Sequence, residues 1–202
     1  MSALLVTGFG PFLDVVDNPS ARLVRALDGA TLGPDLTVVG RVLPVSYRRA
    51  VTETLALIDA HAPIAVVGVG VARGREGVWI ERWGRRWANP ALADIDGEHA
   101  DDLDPGGPAQ IESTAPVGDL AAALGALVSE DAGGYVCNAW LYGVLRALQP
   151  RVPVGSPPAI FVHLPAEGIA PELFSAALVQ VWRPQFPRTS PMDPTRSSAL
   201  KS

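Results

Sequence analysis

Apolar and polar positions along the chain fall into blocks that alternate between two periods. Residues 3–9, ALLVTGF, form a short apolar run that reads as a first strand. NPSARLVRALDGA (18–30) follows with helical spacing, Asn18 standing where an N-cap belongs and Pro19 at the first helical position. DLTVVGRVLPV (35–45) predicts a valine-rich strand. YRRAVTETLALIDAHA (47–62) sets Val51, Leu55 and Ile58 on one face of an amphipathic helix. PIAVVGVG (63–70) is a continuous β-branched run, the pattern of a parallel strand buried on both faces. Residues 71–112 break this rhythm. They are rich in Gly, Pro, Asp and Trp, and predict a hairpin followed by a long irregular excursion from the sheet. Helices are then expected over PVGDLAAALGALV (116–128) and VCNAWLYGVLRAL (136–148), a buried strand over PPAIFVHLP (157–165), and a last helix over APELFSAALVQVW (170–182).

Strands separated by helices imply an α/β fold. The expectation is a single-domain three-layer α/β/α sandwich around a mostly parallel twisted sheet, spanning residues 1–185. The Pro-, Ser- and Thr-rich residues 186–202 are expected to form a mobile tail. In such sheets ligands bind outside the carboxyl ends of the strands.

Composition narrows the function classes. The chain has 202 residues, 48% of them hydrophobic, but its apolar runs are too short to cross a membrane. Residues 1–9 lack the basic segment and cleavage site of a signal peptide, and a lone cysteine suits a reducing compartment, so a cytoplasmic location is expected. Sixteen basic against 21 acidic residues give a net charge of −5, with no electrostatic footprint for nucleic acid. The basic stretch RGREGVWIERWGRR (73–86) contains two acids and alternates with apolar residues, which predicts a solvated, twisted hairpin. Three histidines lack metal-ligand spacing, so no metal is expected, and His99 in DGEHADDLD offers at most an adventitious cation site. GFGPF (8–12) has Pro11 and Phe12 where a phosphate loop needs glycine and free amides. VGVGVARG (67–74) runs into a segment with no helical period. Neither predicts a nucleotide cofactor.

Two residues carry candidate chemistry. Cys137, the chain's one cysteine, lies between DAGGY and a predicted helix, where the first helical amides point toward its sulfur. His163 closes the run AIFVH at a strand end. A helix start and a nearby imidazole lower a thiol pKa and favour the nucleophilic thiolate, and free amides at the same turn suit an oxyanion. Gly133 and Gly134 are expected to allow close approach of a substrate. A third group is needed to orient the imidazole. Asp94, Asp96 and Glu167 are all available, and Glu81 stands out because apolar residues flank it. His61 ends a predicted helix, where dipole pairing is sufficient explanation. A buried structural cysteine beside a core histidine is the competing reading.

VTGFGPF followed by NPS, ER followed by a polar stretch ending D-x-D-G, GGPA (106–109), YVCN-x-x-x-YG and FVHLP occur in the order found in the pyroglutamyl peptidase I family, over about residues 4–166. The chain resembles these cysteine peptidases. The resemblance implies a Glu81–Cys137–His163 triad that removes N-terminal pyroglutamate from peptides without metal or organic cofactor. It further implies that Phe9 and Phe12 grip the lactam ring, that backbone groups near Tyr135 and Val136 bond it, and that Asn18 braces the first loop. Family members are commonly homo-oligomers, so a dimer or tetramer is expected. Val71 departs from the family, which commonly has Gln there to bond the lactam. Ala139 replaces a usual His, Glu130 and Asp131 replace Thr-type residues, and WGRRWANPALADIDG lacks the usual Arg-Ile-Pro-Asp run. These departures leave two alternatives: a hydrolase of the same fold drifted to another small amide or N-acyl substrate, or a non-catalytic small-molecule-binding protein.

Overall fold

The continuous apolar runs become the middle of a six-stranded sheet. A computed structural model describes residues 2–12, 15–149 and 155–182; the expected tail at 186–202 lies outside the described residues. The sheet contains β1 (Ser2–Phe9), β2 (Leu36–Leu43), β3 (Ala65–Val71), β4 (Trp79–Glu81), β7 (Leu127–Ser129) and β8 (Ala159–Leu164), in the spatial order β2-β1-β3-β8-β4-β7. β5 (Trp83–Arg85) and β6 (Gln110–Glu112) form a separate antiparallel pair. β1, β2, β3 and β8 run parallel, whereas β4 is antiparallel to β8. Every residue of β8 is buried, as is all of β3 except Val71, which explains their lack of polar alternation.

Among the described residues, five helices cover the two faces. α1 (Pro19–Leu27), α3 (Val117–Leu124) and α5 (Pro171–Trp182) pack on one side, and α2 (Arg49–His61) and α4 (Val136–Leu148) on the other. The result is the expected three-layer α/β/α sandwich. The chain departs from β1 toward β2 in one direction and toward β3 in the other, so the switch point lies between β1 and β3. α1 begins as its sequence predicts, the Asn18 side chain accepting from Ser20 N at 3.0 Å with Pro19 at the first position. On α2 the buried stripe is Ala50, Thr54 and Ile58, one step round from the expected face; Val51 and Leu55 flank it half-buried. Thr54 belongs inside because its hydroxyl receives the Trp140 indole N–H at 2.8 Å while bonding Ala50 O at 2.8 Å.

Two expected elements also fail. The helix expected over 116–128 ends at Leu124, capped by Gly125 in the left-handed region, and residues 127–129 form strand β7 instead. The basic stretch 73–86 is not a solvated hairpin. Its two short strands do not pair with each other: β4 enters the main sheet between β8 and β7, and β5 pairs with β6. A strand of three residues offers too few positions for a period-2 pattern to register.

The excursion after β5 is tied down by one buried carboxylate. Asp94 accepts from the backbone amides of Tyr47, Asp96 and Glu98, each at 2.9 Å, which pins the loop to the start of α2. Burial alone would raise its pKa, but these three amides outweigh that and hold it below its ordinary value. His99, the possible cation ligand, instead hydrogen-bonds the Pro90 carbonyl through Nδ1 at 2.8 Å. Among the described residues no helix is long and apolar enough to cross a membrane. Replacing Asp94 by Ala strands three amides and is expected to cost about 2 kcal/mol, or roughly 4–8 °C in Tm at neutral pH. The depressed pKa means that this contribution is complete above the unfolded-state pKa near about 4 and is lost as pH falls through the folded value. Thermal melts of wild type and Asp94→Ala therefore converge in acid; a gap unchanged down to about pH 2 contradicts the assignment.

Candidate active site

The carboxyl ends of the parallel strands open into a cavity of about 570 Å³. All of Phe9, Phe12, Asn18, Val71, Tyr135, Val136, Cys137 and His163 line it, so the structure brings these sequence candidates together. Phe9 ends β1, Val71 ends β3, and His163 is the penultimate residue of β8. Val136 and Cys137 open α4, the first amides of which have no partner within the helix.

Glu81 reaches the same site from the antiparallel strand. Register pairs Glu81 with Phe161 and Trp79 with His163, which sets Glu81 and His163 diagonally across one face of the sheet. His163 Nδ1 lies 2.7 Å from Glu81 Oε1, with the carboxylate fully buried. Burial on its own raises the Glu81 pKa. The hydrogen bond from His163, with a smaller contribution from the Arg75 guanidinium, outweighs it and holds the carboxyl below its usual range. An ionised carboxylate only accepts, so Nδ1 carries a proton and Nε2 is the ring nitrogen not engaged by Glu81. Of the carboxylates left open by the sequence, only Glu81 meets the imidazole: Asp94 pins the excursion and Asp96 pairs with Arg49 at 3.0 Å. Glu167 lends its backbone carbonyl to Arg22. His61 sits in the last turn of α2, as its dipole reading predicts.

Cys137 stands over β3. A Cβ added at Gly70 would approach its sulfur to 2.9 Å, and Gly70 pairs in register with His163. The sulfur therefore sits above the residue next to the imidazole across the ladder. Among the described residues no hydrogen bond yet joins the two. The helix start does not lower this thiol as the sequence suggests. Burial, then the negative charge of Glu81, push it up to about 12, against a small opposing effect of its own backbone amide. In the resting site the sulfur keeps its proton.

Aromatic rings shape the walls. Phe161 packs edge-on to His163 with centroids 5.0 Å apart, and touches Phe9 at 6.2 Å and Trp140 at 5.5 Å. Phe12 and Tyr47 pack on Tyr135 at 6.3 and 5.7 Å. Phe9 serves both as core and as cavity wall. Asn18 spends its side chain on bracing: Oδ1 accepts from Ser20 and Nδ2 donates to Gly10 O at 2.9 Å.

Several residues at the site escape sequence reasoning. Asn138 donates to the carbonyls of Arg85 and Trp87 and accepts from Arg85 N, each at 2.8 Å, so the helix that carries the thiol also holds the excursion. That excursion returns to the cavity through Ala91, Leu92 and Ala93, and Tyr135 donates its hydroxyl to Ala93 O at 3.0 Å. Gly134 has a different use from the one expected: a Cβ there would meet the Trp87 ring at 2.5 Å, so its close neighbour is the excursion. Arg75 bonds Glu81, and nothing in the spacing of RGRE distinguishes it from Arg73.

A three-layer sheet with a thiol at a helix start and a carboxylate-held imidazole at a strand end has the arrangement of a cysteine-type hydrolase. Comparison with known proteins agrees. The sequence profile of the pyroglutamyl peptidases matches residues 2–173. The pyrrolidone-carboxylate peptidase of Cupriavidus taiwanensis is 37% identical over 172 residues, covering 82% of this chain and 79% of that protein. Its counterpart from Coprothermobacter proteolyticus is 37% identical over 176 residues, covering 82% of each. Pyroglutamyl peptidase I from Bacillus amyloliquefaciens superposes with a TM-score of 0.80 at 26% identity, over 89% of this chain and 92% of that one. The pyrrolidone carboxyl peptidase of Thermococcus litoralis gives 0.79 at 25% identity, over 90% and 91%. The chain belongs to the pyroglutamyl peptidase family, and is thereby a cysteine peptidase.

Gly70→Ala tests the seat of the sulfur. The added methyl cannot coexist with Sγ and the Phe161 ring at 2.8 Å, so Cys137 must swing away from His163. Turnover is expected to fall at least about tenfold while the fold persists, because the sulfur is displaced from its base; turnover at the wild-type rate contradicts the placement.

Proposed function

We propose that the enzyme hydrolyses the amide bond after an N-terminal pyroglutamyl residue, with Cys137 as nucleophile, His163 as acid and base, and Glu81 as the group that orients His163. The observation that carries this reading is the 2.7 Å bond from His163 to buried Glu81, one strand away from the chain's only thiol. The whole apparatus belongs to one domain, residues 1–185.

With its pKa pushed up to about 12, the thiol is protonated at neutral pH. The proton therefore leaves as the sulfur attacks. His163 Nε2 takes the Sγ proton while the S–C bond forms, and the imidazolium is stabilised by Glu81 at Nδ1. The free amides opening α4 hold the carbonyl oxygen as it becomes an oxyanion. Collapse of this intermediate breaks the C–N bond, and His163 returns the proton to the departing amine. Water then attacks the thioester with His163 as base, freeing pyroglutamate and the thiol. A small lactam suits a cavity with apolar walls from Phe9 and Phe12 and a few directed bonds from the backbone of Tyr135 and Val136.

One feature favours a broader substrate range. Val71 supplies an apolar side chain where relatives commonly bond the lactam, so the drifted-hydrolase alternative survives as a relaxed preference at the same site. Exposed Trp87, Leu92 and Ile95 on the excursion support self-association as a dimer or tetramer, and the single thiol supports a cytoplasmic setting.

Release of a chromophore from a pyroglutamyl amide is expected from wild type. Cys137→Ala and Cys137→Ser should lose more than about 10³-fold, and Glu81→Gln about 10⁴-fold in kcat, because its amide forces the wrong tautomer. An inert wild type, or activity surviving in Cys137→Ala, overturns the assignment. Val71→Gln is expected to raise kcat/KM for pyroglutamyl amides about tenfold over prolyl amides; an unchanged ratio removes Val71 as a determinant.

A further inference from the structure

Glu81 is a fully buried carboxylate whose hydrogen bonds converge on one oxygen. Oε1 receives His163 Nδ1 at 2.7 Å and Arg75 Nη1 at 3.0 Å, whereas Oε2 is buried with no hydrogen-bond partner. Ser129 lies near the carboxyl but directs its hydroxyl to Asp131 O at 3.1 Å. An unbonded, buried oxygen is where a proton settles unless a positive charge keeps the group ionised.

Arg75 is a fixed cation bonded to Glu81. It is held on several sides. Nη1 also bonds Ser129 Oγ at 3.1 Å, Nη2 bonds Asp131 O at 2.7 Å, and the guanidinium lies over the Trp79 ring with 5.3 Å to its centroid. The neighbours of Glu81 from each packed element are His163 on β8, Cys137 on α4, Ser129 on β7 and Arg75 on the loop before β4. Arg82, next to Glu81 on the chain, pairs with Glu130, and the Asp131 carboxylate pairs with Arg85. None of these other groups supplies a permanent positive charge to Glu81.

We propose that Arg75 is a positioning residue of the reaction: it keeps Glu81 ionised, so that His163 holds its proton on Nδ1 and presents an unprotonated Nε2 to Cys137. This rests on the Glu81–His163–Cys137 assignment above. Without Arg75, Glu81 takes a proton at a pH where the wild-type carboxyl is still charged. A protonated carboxyl donates to Nδ1 instead of accepting from it, which drives the imidazole to its other tautomer and removes the base. The defect is therefore conditional on pH: severe on the acid side and relieved as Glu81 ionises.

The test compares wild type, Arg75→Gln and Arg75→Lys with two readouts. One is the pH dependence of kcat and KM on a pyroglutamyl amide. The other is the ¹⁵N–¹H side-chain spectrum of the three histidines, with His163 assigned by His163→Gln, which reports its tautomer without substrate. In Arg75→Gln the acid limb of kcat is expected to move up by about one pH unit or more, with kcat down at least about tenfold below the new limb and within about threefold of wild type above it. KM should change little, and the His163 Nδ1–H signal should give way to Nε2–H over the same pH range. Arg75→Lys keeps the charge and should return the limb to its wild-type position, even with part of kcat lost. A limb and tautomer unmoved in Arg75→Gln overturn the proposal. So does a loss equal at every pH that Arg75→Lys fails to correct, since that is a merely structural defect. If Arg75→Gln does not fold, Arg75→Lys decides: a limb displaced despite the retained charge contradicts the proposal. A wild type inert on pyroglutamyl amides, with the tautomer still responding to Arg75, refutes the substrate reading and leaves the role of Arg75 standing.

Discussion

A carboxylate buried inside a protein must be compensated, and the way Glu81 is compensated organises the site. Its partners come from different parts of the sheet: His163 from β8, diagonal to it across an antiparallel pair, and Arg75 from the loop that precedes its own strand. The bond to His163 requires β4 to run against its neighbour, in a sheet whose other interior strands are parallel. The small departure from parallel order therefore has a chemical consequence. It brings a side chain of β4 into contact with a residue at the mouth of the parallel strands.

Packing supplies the rest of the geometry. Gly70 leaves a space over β3 that the sulfur of Cys137 fills, and Phe161 closes the same space from β8. The helix bearing the thiol is anchored by Trp140, whose indole reaches Thr54 on the neighbouring helix, and by Asn138, which clasps the backbone at Arg85 and Trp87. Close packing of this kind explains the raised thiol pKa, since a buried sulfur near the Phe161 ring and the Glu81 carboxylate is a poor place for a second negative charge. It also assigns the imidazole a definite task. A thiol that does not ionise by itself needs a base whose free nitrogen is fixed in advance.

Much of the fold is legible in the chain because long elements carry long patterns. The unbroken apolar runs at 65–71 and 159–164 declare buried parallel strands, and Asn18-Pro19 marks a helix start. What escapes is short or long-range. β4 and β7 have three residues each and no readable period, and the segment before β7 looks helical until Gly125 stops it. The candidate residues were legible for different reasons. Cys137 and His163 stand at element ends, while Glu81 needed the family's motif order to separate it from Asp94, Asp96 and Glu167. Arg75 and Asn138 act through contacts with sequence separations that no local pattern encodes, with one exception: Arg75 lies six residues from Glu81, but across a turn rather than along a helix face.

Catalysis by this site requires a covalent bond between substrate and Cys137. Intact-mass and peptide analysis of enzyme quenched in acid during turnover of a pyroglutamyl ester tests this directly. The expected result is one pyroglutamyl group per chain, located on the peptide containing Cys137 and absent when that residue is Ala. Release of pyroglutamate with Cys137 unmodified at every time point would contradict the account.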